Sequence, residues 1–254
     1  MINLTVDIGN SKTKCSVWDG YTLLFHDVLS NSASASKTLG DLVKQFGIQS
    51  VVIANVGNQN DFIKNSLDSI PKENVYNFSF ASVKDFRINY SETLGVDRLA
   101  SFIGAIEMFP STPLLIVDSG TALTIDIVNS QNEFCGGNIS LGLYSRISAL
   151  HEKTARLPLV KVISPTGYFG KNTEEAILDG AINGIIGEIL FCVNKAKELY
   201  NIQKVVLTGG EAKFLLPLLK KENIDCVYDE YLVPRGLNSF MQKEFNKRET
   251  CLSM

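Results

Sequence analysis

Short apolar runs separated by turn residues dominate the beginning of the chain. Ile2–Asp7, Lys12–Trp18 and Thr22–Val28 have the length and composition of strands, and the glycine-containing dipeptides between them are typical of hairpin turns. Apolar residues then recur at helical spacing over Ser36–Phe46, and Val51–Val56 is a continuous apolar run typical of a buried strand. This order predicts three strands, a helix and a fourth strand.

The same order of elements starts again after a break at residues 110–113, where two prolines flank Ser and Thr. Before the break we expect a helix at Asp61–Leu67, a strand at Val75–Phe80 and a helix at Leu94–Met108. After it, the pattern predicts strands at Leu114–Asp118, Ala122–Val128, Glu133–Ser140 and Lys204–Leu207, and helices at Gly142–Leu150, Asn172–Tyr200 and Glu211–Lys220. The chain is therefore predicted to be an α/β protein of two similar domains, 1–112 and 113–254, each a mixed sheet flanked by helices.

The turn after the first strand of each half carries the same residues. Val6-Asp7-Ile8-Gly9-Asn10-Ser11-Lys12-Thr13 is matched, 111 residues later, by Val117-Asp118-Ser119-Gly120-Thr121-Ala122-Leu123-Thr124. A carboxylate at a strand end can hold Mg²⁺, and glycine lets a phosphate come close to the backbone. One such turn is commonly a plain hairpin, but two in register favour a phosphate site with a metal ion between two related domains.

Composition excludes several other classes. The chain has 254 residues, 45% of them apolar, and a net charge of −3, which gives no basic surface for nucleic acid. No basic leader is followed by an apolar segment, and we expect no membrane-spanning run. The five cysteines are widely spaced without a C-x-x-C pair, which favours reduced thiols and a cytoplasmic protein.

Gly95-Val96-Asp97-Arg98 lies between the two turns and has two interpretations. An Asp beside an Arg at a helix start is often a helix cap with a solvated ion pair. Alternatively, Asp97 is a general base and Arg98 binds an anionic group of the substrate, because guanidinium binds carboxylate through two hydrogen bonds. The spacing alone leaves both open.

Three further glycine-rich features have weaker implications. Gly136-Gly137 predicts a loop of positive φ, and Gly209-Gly210 lies at a strand-to-helix turn suited to a nucleotide's sugar or base. In the long helix, small residues form a stripe that indicates either tight packing within the chain or a helix contact in a dimer. The stripe comprises Gly180, Ala181, Gly184 and Gly187.

Taken together, these motifs resemble type III pantothenate kinase, of the actin/sugar-kinase/Hsp70-like superfamily, over nearly the whole chain. The resemblance is carried, in order, by Asp7-x-Gly9-Asn10-Ser11, Gly95-x-Asp97-Arg98, Asp118-x-Gly120-Thr121-Ala122-x-Thr124-x-Asp126, Gly136-Gly137-x-Ile139, Gly170-x-Asn172-Thr173 and Gly209-Gly210.

The resemblance implies two actin-like (ribonuclease H-like) domains with a cleft between them, and ATP-dependent phosphorylation of the 4′-hydroxyl of pantothenate, the first step of coenzyme A biosynthesis. It further implies a cytoplasmic homodimer with the site near the subunit interface, and a requirement for Mg²⁺ and for K⁺ or NH₄⁺. Asp97 is the implied proton acceptor, and Asp118 the implied ligand of the monovalent cation. ATP is assigned to Asp7, Ile8, Gly9, Asn10, Ser11, Lys12, Thr13, Lys14, Thr121, Gly209 and Gly210, with Asp7 also near Mg²⁺; pantothenate is assigned to Tyr90, Gly95, Val96, Asp97, Arg98 and Thr173.

The chain departs from the family pattern at three places. Ser11 replaces a usual Thr, Leu141 replaces a usual Pro, and the segment from Tyr90 to Gly95 is about two residues shorter. None of these removes a chemical group that the reaction needs. Two alternatives remain: a kinase of the same superfamily with another small hydroxylated substrate, and a non-catalytic nucleotide-binding regulator.

Overall fold

The computed structural model describes residues 1–9, 12–31, 33–55, 66–165 and 167–252. It divides into two compact units, one formed by Met1–Pro110 with Tyr231–Met254 and the other by Ser111–Glu230. Its strands are β1 (Ile2–Ile8), β2 (Lys12–Asp19), β3 (Thr22–Ser30), β4 (Ser50–Asn55), β5 (Val75–Asn77), β6 (Leu114–Ser119), β7 (Ala122–Val128), β8 (Phe134–Leu141), β9 (Lys204–Thr208) and β10 (Cys226–Tyr228). Its helices are α1 (Ala33–Phe46), α2 (Val96–Met108), α3 (Leu143–Lys153), α4 (Thr173–Tyr200), α5 (Ala212–Lys221) and α6 (Leu232–Leu252).

The two units have the same sheet. The strand order is β3-β2-β1-β4-β5 in the first unit and, from the same end, β8-β7-β6-β9-β10 in the second. In each sheet the first three strands are antiparallel, whereas the fourth and fifth run parallel to the first. The predicted duplication of a mixed sheet flanked by helices is therefore confirmed, and each of the two sheets has five strands.

The central strands β1 and β6 are buried on both faces, although one of the two faces of β1 carries polar side chains. In β1, Leu4, Val6 and Ile8 are at most 1% exposed, and they belong to a core that includes residues of α1. In the second unit, β6 and α4 contribute to a single apolar cluster. Each buried first strand thus ends in a polar turn whose position is fixed by the core.

The last helix packs in the first unit, although the sequence-based division placed it in 113–254. Helices α6 and α2 cross so closely that a methyl carbon built at Gly236 would lie 1.8 Å from the Ala100 carbonyl oxygen. The division of the chain into domains 1–112 and 113–254 remains a prediction. By packing, the chain returns to the first unit at Tyr231.

Other elements differ from expectation in detail. The short strand β10 was not predicted, since three residues give no periodicity. Gly136 has a φ of +111° but lies inside β8, where the pairing with β7 shifts register, rather than in a loop. Residues 61–65 of the predicted helix Asp61–Leu67 lie outside the described residues.

Helix α4 is the one helix, among the residues described, that is long and apolar enough to cross a membrane. Its most apolar window has a mean hydropathy of 1.8, which the sequence-based expectation of no membrane-length segment overlooked. However, 56% of this window is buried within the structure, and length and composition alone do not separate a core helix from a membrane span. The packing of Ile182, Ile185 and Ile189 in the apolar cluster makes α4 the core helix of its unit.

Candidate functional site

In the first unit, the turn between β1 and β2 brings charged side chains to the end of a buried strand. Asp7 is 8% exposed and lies directly opposite Lys14, so both side chains project from the same face of the sheet. Lys12 is exposed on the next position of β2 that faces the same way. The Gly9 N–H donates to the Lys12 carbonyl at 3.0 Å. Gly9 therefore shapes the turn instead of offering its N–H to a phosphate.

Asn31 braces this turn, and the sequence analysis did not single it out. Its Nδ2 donates to the Gly9 carbonyl at 2.9 Å, and its Oδ1 accepts a hydrogen bond of 2.7 Å from Thr13 Oγ1. Asn31 follows β3, which pairs with β2, so the contact depends on strand pairing rather than on a local motif. Asn10 and Ser11 lie outside the described residues.

The Asp97 carboxylate is held at the start of α2. Its Oδ1 accepts a hydrogen bond of 2.8 Å from the Arg98 backbone N–H, and it lies in the first turn, where the helix dipole favours a negative charge. A methyl carbon at Gly95 would lie 2.5 Å from this oxygen. The glycine thus leaves room for the carboxylate, which folds back over residue 95. Asp97 itself is half-buried, so a ligand can reach it.

Arg98 and Tyr90 are brought together in the first unit. The guanidinium carbon lies 5.0 Å from the centre of the Tyr90 ring, a cation–π contact. Arg98 is 4% exposed, whereas Tyr90 is 37% exposed. The ring thus covers the guanidinium group and gives it a fixed direction next to Asp97.

In the second unit, the matching turn places Asp118 against the turn after β9. Gly209 has a φ of +95°, and a methyl carbon there would lie 2.4 Å from Asp118 Oδ1 and 2.3 Å from the Ser119 carbonyl oxygen. Only glycine allows this approach. Asp118 and Gly209, predicted separately, are therefore neighbours, whereas Gly210 is exposed.

The N-terminus of α3 closes on the same turn. The Gly142 N–H donates to the Thr121 carbonyl at 3.1 Å, and Ser145 Oγ donates to the same oxygen at 2.7 Å. A methyl carbon at Gly142 would lie 1.8 Å from the Gly120 carbonyl oxygen. These contacts consequently fix the backbone of Thr121, although Thr121 is exposed to solvent.

Glu211 joins these segments and was not singled out by the sequence analysis. Its carboxylate is 5% exposed and accepts hydrogen bonds from Ser119 Oγ at 2.6 Å, from the Leu143 N–H at 2.9 Å and from the Tyr144 N–H at 3.0 Å. The only sequence signal is a Glu directly after Gly209-Gly210, which gives no indication of partners 67, 68 and 92 residues away.

Thr173 begins α4, as the predicted cap at Asn172 required. Asn172 Oδ1 accepts a hydrogen bond of 3.0 Å from the Glu175 N–H. The Glu175 carboxylate in turn accepts one of 2.8 Å from the N–H of Lys171 rather than from that of the cap residue. The small-residue stripe divides in two: Ala181 is buried, whereas Gly180, Gly184 and Gly187 are exposed. A methyl carbon at Gly180 or Gly187 would meet nothing within 4 Å, so these glycines do not serve packing inside the subunit.

Metal ligation and thiol chemistry have little support among the described residues. No group of three or more His, Cys, Asp or Glu side chains there could hold a metal ion. The described cysteines 15, 135, 192 and 226 are free thiols. Burial, with a smaller effect of the Asp27 charge, raises the pKa of Cys15 to about 11, and burial raises that of Cys226 to about 11. These two thiols therefore stay protonated at neutral pH and are poor nucleophiles.

Comparison with known proteins gives a consistent family. Residues 3–195 match the family model described as type III pantothenate kinase. A type III pantothenate kinase of Flavobacterium johnsoniae is 35% identical over 221 residues, which cover 85% of this chain and 89% of that protein. One from Bacteroides fragilis is 33% identical over 241 residues, which cover 94% and 97% respectively.

Solved structures agree on the fold. A conserved protein of Campylobacter jejuni, provisionally described as a Baf family transcriptional activator, is 25% identical with a TM-score of 0.62, covering 96% of this chain and 99% of that one. The activator of a 2-hydroxyisocaproyl-CoA dehydratase from Clostridium difficile, with bound ADPNP, is 13% identical with a TM-score of 0.59, covering 100% and 98%. At this identity the second likeness concerns the fold alone.

Proposed function

Because this chain belongs to the type III pantothenate kinase family, we propose an assignment of its residues to the family's reaction. The protein phosphorylates pantothenate with ATP, a step of coenzyme A biosynthesis. We assign the transfer to the 4′-hydroxyl of pantothenate, giving 4′-phosphopantothenate. Phosphoryl transfer needs positioning, neutralised charge and a base for the acceptor hydroxyl, and each has a candidate in the structure.

Asp97 is the general base, and its geometry carries this proposal. The carboxylate is held by the Arg98 N–H at 2.8 Å over a residue that has no side chain, which leaves it anchored but accessible. General-base assistance is typically worth about 10²–10⁴ in rate. Arg98 binds the carboxylate of pantothenate, and Tyr90 and Thr173 complete the substrate contacts, with Gly95 and Val96 forming the local backbone.

The ATP phosphates are assigned to the turn at the end of β1. Asp7, Lys12 and Lys14 stand on one face there, and Asn31 and Thr13 hold the backbone of Gly9. Lysines of this kind neutralise phosphate charge. In the second unit, Thr121, Gly209 and Gly210 are assigned to the nucleotide. Thr121 is exposed and anchored through its backbone, and Gly210, next to Gly209, has open space where a side chain would be.

Two cations are part of the proposal. Asp118, whose carboxylate lies against Gly209 and next to the Ser119 carbonyl, offers the oxygen ligands that suit K⁺ or NH₄⁺, and Asp7 suits Mg²⁺ carried by ATP. When bound, these ions neutralise charge on the phosphates. The chain itself contributes the carboxylates of Asp118 and Asp7 to these two proposed ion sites.

The active protein is proposed to be a homodimer in the cytoplasm. The exposed face of α4 carries Gly180, Gly184, Gly187 and Phe191, the last 62% exposed, a surface on which a second copy can approach closely. Free thiols in the described residues fit a reducing compartment.

Asp97→Asn tests the assignment of the base. We expect the variant to fold normally and to lose at least about 100-fold in kcat, because a general base acts in the transition state. The measurement is ADP release coupled to pantothenate addition, with circular dichroism as the control for folding. A kcat close to that of the wild type would remove Asp97 from this role.

The same assay separates the two other functions. A non-catalytic regulator binds nucleotide but releases no ADP when pantothenate is added. A kinase of the superfamily with another substrate releases ADP only with that hydroxylated compound, so a panel of small sugars and acids run beside pantothenate distinguishes it.

A further inference from the structure

Glu211 is a buried carboxylate for which the reaction above has no direct use. It lies at the N-terminal end of α5, where its own N–H donates to the Ser119 carbonyl at 3.0 Å. Its side chain returns to the same residue, accepting from Ser119 Oγ at 2.6 Å. Glu211 is thus bound to Ser119 through both main chain and side chain, immediately beside Asp118.

The same carboxylate also caps a distant helix. Helix α3 begins after Gly142, which has no side chain to cap it, and the N–H groups of Leu143 and Tyr144 donate to Glu211 instead, at 2.9 and 3.0 Å. A negative charge at this end of a helix is favourable, and two of its otherwise unpaired N–H groups are satisfied. One side chain therefore fixes the start of α3.

Three segments meet at this carboxylate: the β6–β7 turn, the start of α3 and the β9–α5 turn. The segments are in near contact, since a methyl carbon at Gly142 would lie 1.8 Å from the Gly120 carbonyl oxygen and 3.1 Å from the side-chain oxygen Glu211 Oε2. The residues assigned to the cation and to the nucleotide, Asp118, Thr121 and Gly209, belong to two of these segments. Their relative positions depend on the carboxylate that joins the segments.

We propose that Glu211 is a positioning residue for ATP and the monovalent cation, acting through Ser119 on Asp118 and through the start of α3 on Thr121. This inference rests on the proposed function of those two residues. The Glu211 carboxylate accepts three hydrogen bonds from this chain, so in the proposed role it acts on the site through these neighbours and not by its own contact with ATP or the ion.

The variant Glu211→Gln tests this role because it keeps the shape and replaces one acceptor oxygen by a donor facing N–H groups. We expect the KM for ATP and the activation constant for K⁺ each to rise at least about fivefold. The KM for pantothenate should change by less than about twofold, because none of the residues assigned to pantothenate belongs to the three segments that Glu211 joins. Glu198→Gln is the matched control. Glu198 is an exposed carboxylate of the same unit, paired with Lys195, and its variant should leave all three constants unchanged.

Binding of ADP, measured by calorimetry without pantothenate, gives a readout that is independent of turnover. Weaker binding of ADP by Glu211→Gln than by the wild type supports the proposal even if the wild type proves to phosphorylate another substrate, which would overturn only the proposed function. Unchanged ADP affinity and unchanged constants in a folded variant overturn it. A fall in kcat alone, in proportion to a lost folded fraction, indicates a purely structural role and overturns it as well.

If Glu211→Gln fails to fold, Ser119→Ala decides the question. This variant removes a single hydrogen bond to Glu211 Oε2 and leaves the cap of α3 in place. A rise in the KM for ATP and in the K⁺ constant, smaller than fivefold but in the same direction, supports the proposal. Constants identical to those of the wild type overturn it.

Discussion

At the scale of residues, several glycines mark places where another group occupies the space of a side chain. At Gly95 that group is the Asp97 carboxylate, and at Gly209 it is the Asp118 carboxylate together with the Ser119 carbonyl. These motif glycines are thus important because the absence of a side chain leaves space for the neighbouring carboxylate or carbonyl group. The neighbouring carboxylates are the groups to which we assign chemistry.

Gly95→Ala should separate catalysis from folding. The added methyl group would lie 2.5 Å from Asp97 Oδ1, which is the end of a flexible side chain, so the carboxylate swings away while the backbone stays in place. We expect a fall in kcat of at least about tenfold, since misplacement of a base by about 1 Å is enough for such a loss. The midpoint of urea unfolding should change little. A variant with wild-type kcat would show that the position of this carboxylate is not critical.

At the scale of elements, the start of α2 is positioned by its packing against α6. A methyl carbon at Gly104 would lie 2.3 Å from the Leu232 carbonyl oxygen, and one at Gly236 would lie 1.8 Å from that of Ala100. The two backbones therefore cross in direct contact. Since Asp97 and Arg98 form the first turn of α2, the last helix of the chain helps to fix the proposed base.

Gly236→Ala should destabilise the protein severely, because the methyl group would meet only backbone atoms, those of Ala100 and Gly104 in α2. We expect a loss of about 3 kcal/mol or more in the free energy of unfolding, or failure to fold. Gly40→Ala is the matched control: it lies inside α1 and a methyl there would meet only the Ser66 carbonyl at 3.9 Å. The control should gain about 0.5–1 kcal/mol from helix propensity. Equal effects of the two variants would contradict the close crossing.

The buried thiol of β2 predicts a loss of stability at alkaline pH. Burial raises the pKa of Cys15 from 9.0 to about 11, so the folded state holds its proton more tightly than the unfolded state. The stabilisation is complete below pH 9, and is lost as the pH rises from there to about 11; its full size is about 2–3 kcal/mol. Urea unfolding of the wild type and of Cys15→Ala at pH 8 and pH 10.5 should show a steeper alkaline loss in the wild type. Parallel losses would contradict the shift.

At the scale of the whole molecule, the β1–β2 turn of the first unit and the β6–β7 turn of the second occupy the same place in matching sheets. The two turns are held by different residues and carry different side chains. In the first copy the turn is held by Asn31, which follows β3, and it carries lysines at positions 12 and 14. In the second it carries Asp118 and Thr121 and is held by Glu211. The two turns therefore carry different side chains, lysines in the first unit and the Asp118 carboxylate, the proposed cation ligand, in the second.

Gly184→Leu tests the dimer. In this subunit a methyl carbon at Gly184 would meet only Arg146 Nη1 at 3.5 Å, so the leucine should not unfold the chain. We expect a folded monomer of 27.9 kDa by light scattering, with activity lost if the dimer completes the site. Lys220→Leu, an equally exposed change on α5, should remain dimeric. A fully active wild-type monomer would exclude this interface.

The sequence by itself determined the duplication, the motif residues and most of the elements, because hydrophobic periodicity and turn composition are local properties that each segment carries alone. It predicted Asp7, Asp97, Asp118 and Thr173 at strand ends and helix starts, which is where the structure has them. Only the tertiary structure decided that α6 joins the first unit, that Tyr90 covers Arg98, and that Asn31 and Glu211 hold the two turns. Apart from the Tyr90–Arg98 pair, these contacts join residues that are far apart along the chain, as Ser119 and Glu211 are. Their hydrogen bonds and ring contacts come from strand pairing and helix packing, which leave no periodic pattern in the sequence.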